Sequence, residues 1–139
     1  MISLVSSPEP NPASSNGQNA TPAIIGYAGM WLIDGEAHIS TIAVHPDFRS
    51  RGLGEVLLAG ILSRGMFLDA EYSVLEVRVS NHSAINLYKK YEYEIVGRRK
   101  RYYRDNNEDA LIMTVNNLDQ AYLNWLEKNT WKSLSGVCR

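Results

Sequence analysis

Apolar and polar residues alternate with a period of two in several parts of the chain, a pattern typical of β-strands with one buried face. A short β-prone run covers 2–5, and strands are predicted at 24–32, 37–44, 74–79, 93–101 and 110–115. Asp34 and Gly35 separate the first two of these strands, and this pair favours the backbone of a two-residue turn. The pattern therefore predicts a β-hairpin early in the chain.

Apolar residues three or four positions apart predict three helices, because this spacing places them on one side of a helix. The first helix covers 52–67, the second follows the capping residue Asn81, and the third follows Asn117. Their apolar stripes are, in order, Leu53, Val56, Leu57 and Ile61; Ala84, Leu87, Tyr88 and Tyr91; and Leu118, Tyr122, Trp125 and Leu126. Strands interleaved with helices predict an α/β domain with a mixed sheet.

The length and composition are those of one ordinary globular domain. The chain has 139 residues, and 45% of them are hydrophobic, which is enough to bury one core. We predict a domain at 1–116 that contains a flexible connector at 6–23, rich in Ser, Pro, Asn and Ala. An amphipathic helix and tail follow at 117–139.

Charge and cysteine content argue against several classes of protein. A net charge of -1 gives no general attraction to nucleic acid or anionic membranes, and the basic run 98–101 is interpreted as a solvated strand face. A single cysteine, Cys138, allows neither an internal disulfide nor a cysteine metal site. No window approaches the roughly 18 apolar residues of a membrane span. A soluble protein of the reducing cytoplasm is expected.

Two glycines in the segment 49–55, Arg-Ser-Arg-Gly-Leu-Gly-Glu, lie between a predicted strand and a predicted helix. A helix N-terminus offers unpaired N–H groups and a partial positive charge, and glycines let a ligand approach the main chain. A diphosphate would fit such a place. The spacing matches neither the P-loop nor the dinucleotide fingerprint, so the glycines alone leave a plain tight turn as an equal alternative.

The wider segment 42–54 resembles motif A of the GNAT acetyltransferases, because strand, Pro turn, arginine, glycines and helix follow one another in that order. The segments 75–81, 84–88, 102–103 and 108–113 are similar to the RimI branch, which acetylates the N-terminal alanine of a small-subunit ribosomal protein. The resemblance covers about 24–115. It implies the GNAT fold, a mixed and mostly antiparallel sheet flanked by helices, with acetyl-CoA as co-substrate and no metal.

The resemblance also implies roles for individual residues. Glu76 would be the general base and Tyr88 the general acid, while Tyr102 and Tyr103 would contact the substrate. The coenzyme would be held by the backbone of Ile42, Ala43 and Val44, by the diphosphate-binding residues Ser50, Arg51, Gly52, Leu53, Gly54 and Glu55, and by Asn81.

These residue types suit acetyl transfer to an amine. The attacking amine must be neutral, and an α-amino group has a pKa of about 7.7 to 8.0, whereas that of lysine is about 10.4. A carboxylate such as Glu76 can accept the amine proton, and a phenol such as Tyr88 can protonate the leaving thiolate. A backbone N–H near Ala43 or Val44 is a candidate donor to the carbonyl oxygen.

Each of these residues also has a plain structural interpretation. Glu76 could be a strand residue paired with Arg78 or Arg98, Tyr88 could be a core tyrosine, and Asn81 could only cap a helix. The three histidines are too scattered to suggest a zinc site. The function has alternatives as well: the acceptor could be a lysine or a small amine, or the chain could bind coenzyme or a partner without turnover.

Two features depart from the family pattern. Relatives have a strand and two helices before the strand that 2–5 matches, and this sequence has no counterpart, so one wall of the acceptor groove is expected to be missing. At Glu92 the family usually has a glycine that ends a helix in the left-handed conformation. Glutamate adopts that conformation less easily, so this helix end is expected to differ locally.

Overall fold

Six strands and three α-helices form the described part of the chain, residues 2–6, 23–49 and 52–137 of a computed structural model. Side chains are described for 24–49 and 52–130. The strands are β1 Ile2–Ser6, β2 Ala23–Ile33, β3 Glu36–Val44, β4 Tyr72–Arg78, β5 Glu94–Tyr103 and β6 Glu108–Val115. The helices are α1 Leu53–Phe67, α2 His82–Lys90 and α3 Gln120–Val137, and a 3-10 turn at Pro46–Phe48 follows β3.

The strands form a single sheet in the order β1-β2-β3-β4-β6-β5. Strands β3 and β4 are parallel, and the other four neighbouring pairs of described strands are antiparallel. The predicted α/β architecture with a mixed, mostly antiparallel sheet is confirmed. Asp34 and Gly35 have positive φ angles of 48° and 83°, so the predicted two-residue turn joins β2 to β3.

The predicted connector at 6–23 lies almost entirely outside the described residues. Its two ends are described, and they belong to strands: Ser6 ends β1, Ala23 begins β2, and the two residues are paired. The range predicted for the connector therefore overlaps these two strands by one residue at each end. Three further residues named above, Ser50, Arg51 and Cys138, also lie outside the described part of the chain.

All three helices bury side chains in one hydrophobic cluster against one face of the sheet. Strand residues of the cluster alternate with more exposed neighbours, as the period-two pattern predicted. Removing this apolar surface from water is the main stabilising term, at about 25 cal/mol per Å². The largest members that are less than 2% exposed are Tyr91, Leu57, Leu58, Ile61, Leu62, Leu75, Met113 and Leu126.

Helix α1 is buried over a wider arc than its predicted stripe. Leu57 and Ile61 are buried as expected, but Leu53 and Val56 are only partly buried. The reason is that α1 packs against two partners, the sheet and α3. The buried residues of α1 are Leu57, Leu58, Ala59, Ile61, Leu62 and Gly65.

Two buried hydroxyl groups join β3, β4 and the residue just before β5. The Tyr93 hydroxyl donates to Ser73 Oγ at 2.7 Å, and Ser73 Oγ donates to the carbonyl of Ala37 at 2.8 Å. Ser73 is fully buried, so both of its hydrogen bonds are shielded from water. This pair fixes β3 against β4 at the end where the two strands are hydrogen-bonded to each other.

The opposite face of the sheet carries exposed aromatic and aliphatic side chains. Trp31, Ile33 and Tyr72 are 67%, 63% and 36% exposed. Strand register places His38 directly beside Trp31. Glu76 lies on the same face, two residues along β4 from Val74, the partner of His38. We call this surface the open face.

Candidate active site

Strands β3 and β4 separate half-way along their length. Their parallel pairing ends at Ile39 and Leu75, although both strands continue beyond these residues. Among the described residues, the backbone of 40–44 therefore has no strand partner on its β4 side. We call the space between 40–44 and 76–78 the gap. The predicted pantetheine-binding residues lie along one side of it and Glu76 lies on the other.

Helix α1 begins just beyond the end of β3. Gly52 has a φ of 75°, a left-handed conformation that favours glycine, and no side chain caps the helix among the residues described. The first helical hydrogen bond runs from Val56 N–H to the Gly52 carbonyl at 3.2 Å. The first N–H groups of the helix, such as those of Leu53 and Gly54, consequently precede the first helical hydrogen bond and lie at the positive end of the helix dipole.

Glu55 has a side-chain role that the sequence did not predict. Its Oε1 accepts from Lys90 Nζ at 2.7 Å and from the Tyr91 hydroxyl at 2.5 Å. Burial, and next the hydrogen bond to Glu55, raise the pKa of Tyr91 above its ordinary value. The carboxylate thus joins the beginning of α1 to the end of α2.

Asn81 caps helix α2, as predicted. Its Oδ1 accepts from Ala84 N–H at 3.3 Å and from Ser83 Oγ at 3.4 Å. The cap places the start of α2 three residues after the end of β4, on the same side of the gap as Glu76. A coenzyme contact of Asn81 stays a prediction.

Glu76 is held by a residue that the sequence did not point to. Its Oε2 lies 2.7 Å from His38 Nε2, and its Oε1 lies 3.9 Å from Arg99 Nε. The Glu76 side chain is 11% exposed, so this carboxylate is fixed in place and shielded from most of the solvent. Alternation along β3 could have pointed to His38, because it places this residue on the same face of the sheet as the exposed Trp31. The contact itself joins residues 38 positions apart and has no local pattern.

Glu76 is a strand residue with basic neighbours, as its structural alternative proposed, but these neighbours are His38 and Arg99 and not Arg78 or Arg98. Arg98 Nε lies 2.6 Å from Asp109 Oδ2, and Arg78 is bound to Asp105. Both arginines point toward the β5–β6 hairpin because its acidic residues are nearer than Glu76. Asp109, which also accepts the backbone N–H of Arg101, has a pKa below its ordinary value because of these bonds.

Tyr88 is partly buried on α2, with its ring 5.8 Å from that of Tyr93. Burial, with a smaller contribution from Tyr103, raises the pKa of Tyr88 to about 12. The phenol is therefore protonated at neutral pH, which a proton donor requires. Tyr88 also packs against the core, so its structural interpretation is correct, and its role as general acid stays a prediction.

Tyr103 lies within electrostatic range of both predicted catalytic residues. Burial raises its pKa, the guanidinium of Arg78 opposes that shift, and Glu76 adds to it. Its neighbour Tyr102 is 45% exposed and meets it edge to face, with ring centroids 5.1 Å apart. The predicted substrate contacts thus lie at the same end of the sheet as the two residues predicted to transfer protons.

No group of three or more potential metal ligands occurs among the residues described. His45 is engaged with its own turn, where its Nδ1 accepts the N–H of Asp47 at 3.1 Å. A search of the described helices for one long and apolar enough to cross a membrane found none.

Comparison with known families identifies the fold. A model of the acetyltransferase (GNAT) family matches residues 10–93, more than half of the chain. The chain belongs to the GNAT acetyltransferase family. Its sheet and helices are those of the GNAT fold, as the resemblance of the segment 42–54 implied.

The relatives within the GNAT family are RimI-type proteins. A Bacillus subtilis protein, provisionally named a ribosomal protein bS18-alanine N-acetyltransferase, is 47% identical over 66% of this chain and 61% of its own length. The N-alpha-acetyltransferase RimI of Mycobacterium tuberculosis is 33% identical over 73% of this chain and 72% of its own length. The chain thus spans less than two thirds of the Bacillus subtilis relative.

A solved GNAT structure shows the same arrangement. The crystal structure of the ribosomal-protein-S18-alanine N-acetyltransferase from Escherichia coli has a TM-score of 0.64 and 34% identity, covering 71% of this chain and 64% of that one. The predicted membership of the RimI branch is confirmed at the level of relatedness. The roles of individual residues remain predictions.

Proposed function

We propose that this protein transfers the acetyl group of acetyl-CoA to a protein N-terminal amine, with the N-terminal alanine of a small-subunit ribosomal protein as acceptor. One observation carries the proposal. The shielded carboxylate of Glu76 lies on one side of the gap in the sheet, and the strand on the other side, β3, leads to the N-terminus of α1, which has no side-chain cap among the described residues. A protonated phenol, Tyr88, lies on the helix that follows.

The backbone at the gap fits the coenzyme. Acetyl-CoA supplies the acetyl group as a thioester, joined through pantetheine to a diphosphate. The N-terminus of α1 suits the diphosphate, because an anion there is stabilised by both N–H hydrogen bonds and the helix dipole. The backbone groups of 40–44 that face away from β2 have no β4 partner among the described residues, and they can hydrogen-bond the amide groups of pantetheine. The proposed coenzyme-binding residues are Ile42, Ala43, Val44, Ser50, Arg51, Gly52, Leu53, Gly54, Glu55 and Asn81.

Glu76 would accept a proton from the attacking amine, directly or through one water. An α-amino group is easier to deprotonate than lysine by about 2.5 pKa units, which is roughly 3.5 kcal/mol at neutral pH. A carboxylate is therefore a sufficient base for an N-terminal acceptor. His38 would hold the carboxylate in one orientation, since their 2.7 Å contact limits its rotation.

Tyr88 would protonate the departing sulfur. The amine nitrogen forms a bond to the acetyl carbon, the carbon–sulfur bond breaks, and the electron pair leaves on sulfur. The proton lost by the amine is taken up at Glu76, and the proton gained by sulfur comes from the Tyr88 hydroxyl, so the two transfers balance. A backbone N–H at Ala43 or Val44 would donate to the acetyl oxygen as negative charge develops there.

The acceptor is proposed from the names of the relatives. Proteins 38 to 39% identical to this chain, from Escherichia coli and Salmonella typhimurium, are named as alanine N-acetyltransferases of ribosomal protein bS18. A cytoplasmic location follows from that acceptor and forms part of the proposal. Tyr102 and Tyr103 are proposed to contact the first residues of the acceptor.

The test is an acetyl-transfer assay on the full chain. Purified protein is incubated with acetyl-CoA and one of three acceptors: a short peptide that begins with alanine, the same peptide with a blocked N-terminus and an internal lysine, or a small primary amine. We expect a mass increase of one acetyl group on the first peptide only. Transfer to lysine alone, or to the small amine alone, would show that this group is the acceptor instead of the N-terminal amine. Calorimetric binding of coenzyme without transfer to any acceptor would refute the enzymatic proposal.

A further inference from the structure

Arg78 makes an unusually complete set of contacts with the turn between β5 and β6. Its Nη1 and Nη2 each donate to one oxygen of Asp105 at 3.0 Å, and Nη1 also donates to Asn106 Oδ1 at 3.2 Å. Its guanidinium lies over the ring of Tyr103, 4.0 Å from the centroid. One side chain thus contacts both the tip of the turn and the aromatic residue just before it.

The turn has a second attachment to the same part of the sheet. Glu108 Oε1 accepts the backbone N–H of Ser80 at 2.8 Å, and Glu108 Oε2 accepts from Asn106 Nδ2 at 3.0 Å. Ser80 lies two residues after the end of β4 and directly precedes the α2 cap. The hairpin is therefore bound to the segment 78–80 at two points, beside the strand that carries Glu76.

Surface ion pairs contribute little stability as a rule, so the value of these contacts lies in geometry. A bidentate guanidinium–carboxylate pair fixes both distance and plane, and stacking on Tyr103 fixes the ring as well. The mutual effect is visible in the pKa values: the hydrogen bond with Arg78 lowers the pKa of Asp105, and contact with Asp105 raises that of Arg78.

We propose that Arg78 is a positioning residue for acceptor binding: it holds the β5–β6 turn and Tyr103 beside Glu76, so that they form one side of the acceptor groove. Arg78 takes no part in proton transfer. This inference rests on the proposed function, because the groove is located by the roles of Glu76 and Tyr103. It predicts that loosening Arg78 weakens acceptor binding without changing coenzyme binding.

The main test is Arg78→Lys, which keeps the charge but removes the bidentate bond and the stacked plane. We expect the KM for the alanine-starting peptide to rise about 10-fold, with kcat within about twofold of wild type. Coenzyme affinity, measured by calorimetry, is expected to stay unchanged. An unaltered KM, or a fall in kcat alone, would overturn the proposal.

Arg64→Lys is the matched control, because Arg64 is an exposed arginine of α1 whose guanidinium also lies over an aromatic ring, that of Phe67, 5.6 Å from the centroid. It is expected to behave as wild type. Asp105→Asn removes the partner of Arg78 and is expected to raise the peptide KM in the same way. For the double variant, Arg78→Lys with Asp105→Asn, we then expect a peptide KM no higher than the higher of the two single-variant values. Fully additive effects would contradict a shared contact.

Hydrogen exchange gives a readout that does not depend on turnover. The N–H of Asn106 donates to Asp105 Oδ1 at 3.0 Å, and that of Glu108 donates to Asn106 Oδ1 at 3.1 Å. Both amides are expected to exchange faster in Arg78→Lys than in Arg64→Lys. Equal exchange would refute the positioning role even in an active enzyme. If wild type transfers acetyl to no acceptor, the proposed function fails separately, and the exchange result still decides whether Arg78 orders the turn.

Discussion

Glu76 lies between two buried residues, Leu75 and Val77, yet points away from them, because successive residues of a strand face opposite sides. Its placement on β4 was predictable from alternation alone. Its partner was not: His38 is on another strand, and only the parallel register of β3 and β4 brings the two together. Contacts of this kind depend on which strands become neighbours in the sheet, and a local sequence pattern does not predict that.

Replacing Glu76 with glutamine tests the general base. Gln keeps the shape and can still hydrogen-bond His38, but it cannot accept the amine proton. We expect kcat to fall about 100-fold or more, with coenzyme affinity nearly unchanged. Steady-state kinetics and calorimetry measure the two quantities. Glu94→Gln, at an exposed glutamate on β5, is the control. Loss of coenzyme affinity in Glu76→Gln would show a structural role instead.

Replacing Tyr88 with phenylalanine tests the general acid. The ring and its packing remain, so we expect kcat to fall about 10- to 100-fold while the fold is retained. The pKa of Tyr88 is about 12, so in wild type the donor is protonated at all pH values well below 12. Proton donation by Tyr88 is lost only as the pH rises through that value. Loss of the Tyr88 proton therefore causes no fall in rate between pH 8 and 10. An unchanged rate in Tyr88→Phe, compared with a Tyr72→Phe control, would remove this residue from the mechanism.

At the scale of elements, the end of α2 corrects one expectation. Glu92 has a φ of 71°, so it adopts the left-handed conformation that was expected to be avoided there. The N–H of Tyr93 reaches the Tyr88 carbonyl at 3.0 Å, and that of Glu92 reaches the Lys89 carbonyl at 3.0 Å. These are the two bonds of a Schellman motif. They form because burial of Tyr91 and Tyr93 fixes the chain direction, which overrides the local preference of glutamate.

Glu92→Gly should relieve the strain stored in this helix end. A left-handed residue with a side chain costs about 1–2 kcal/mol, and glycine returns part of that as extra freedom of the unfolded chain. We expect a net gain in the free energy of unfolding of about 0.5–1 kcal/mol. Urea denaturation measures it, and Glu92→Ala, which keeps the strain, serves as the control. A loss of stability in Glu92→Gly would show that the Glu92 side chain contributes more than its backbone costs.

Elements with a strong local pattern were predictable, and their spatial relations were not. Asp34-Gly35 marked its turn and Asn81 its cap, because both depend on the chemistry of adjacent residues. The separation of β3 from β4 beyond Ile39 depends on α1, α2 and the sheet together. The contact of Arg78 with Asp105 likewise needs the β5–β6 hairpin to fold back on β4. No single segment contains either feature.

At the scale of the whole molecule, the core contains several tyrosines whose ionisation opposes folding. Burial is the largest cause of a raised pKa at Tyr88, Tyr91, Tyr93 and Tyr122. In the unfolded chain each would ionise near pH 10. Their protonated state therefore favours the folded protein, fully below pH 10 and progressively less as the pH rises toward their folded pKa values.

Alkaline unfolding should consequently be steep. Between pH 10 and 12 the unfolded chain releases protons that the folded chain retains, so we expect the free energy of unfolding to fall by up to about 1.4 kcal/mol per pH unit for each fully buried tyrosine. Urea midpoints at pH 8, 9, 10 and 11 measure the slope. Tyr122→Phe should reduce this slope by the contribution of one buried tyrosine. A stability that stays level up to pH 11 would contradict the burial of these phenols.

The early end of the β3–β4 ladder has a kinetic consequence. The described residues of β3 and β4 form no pair beyond Ile39 and Leu75, so a ligand that enters there breaks no bond between these two strands. Its encounter with the protein therefore needs no prior opening of the sheet. The observed binding rate should rise in proportion to ligand concentration without reaching a plateau, as expected for a receptor that is already open before its ligand arrives.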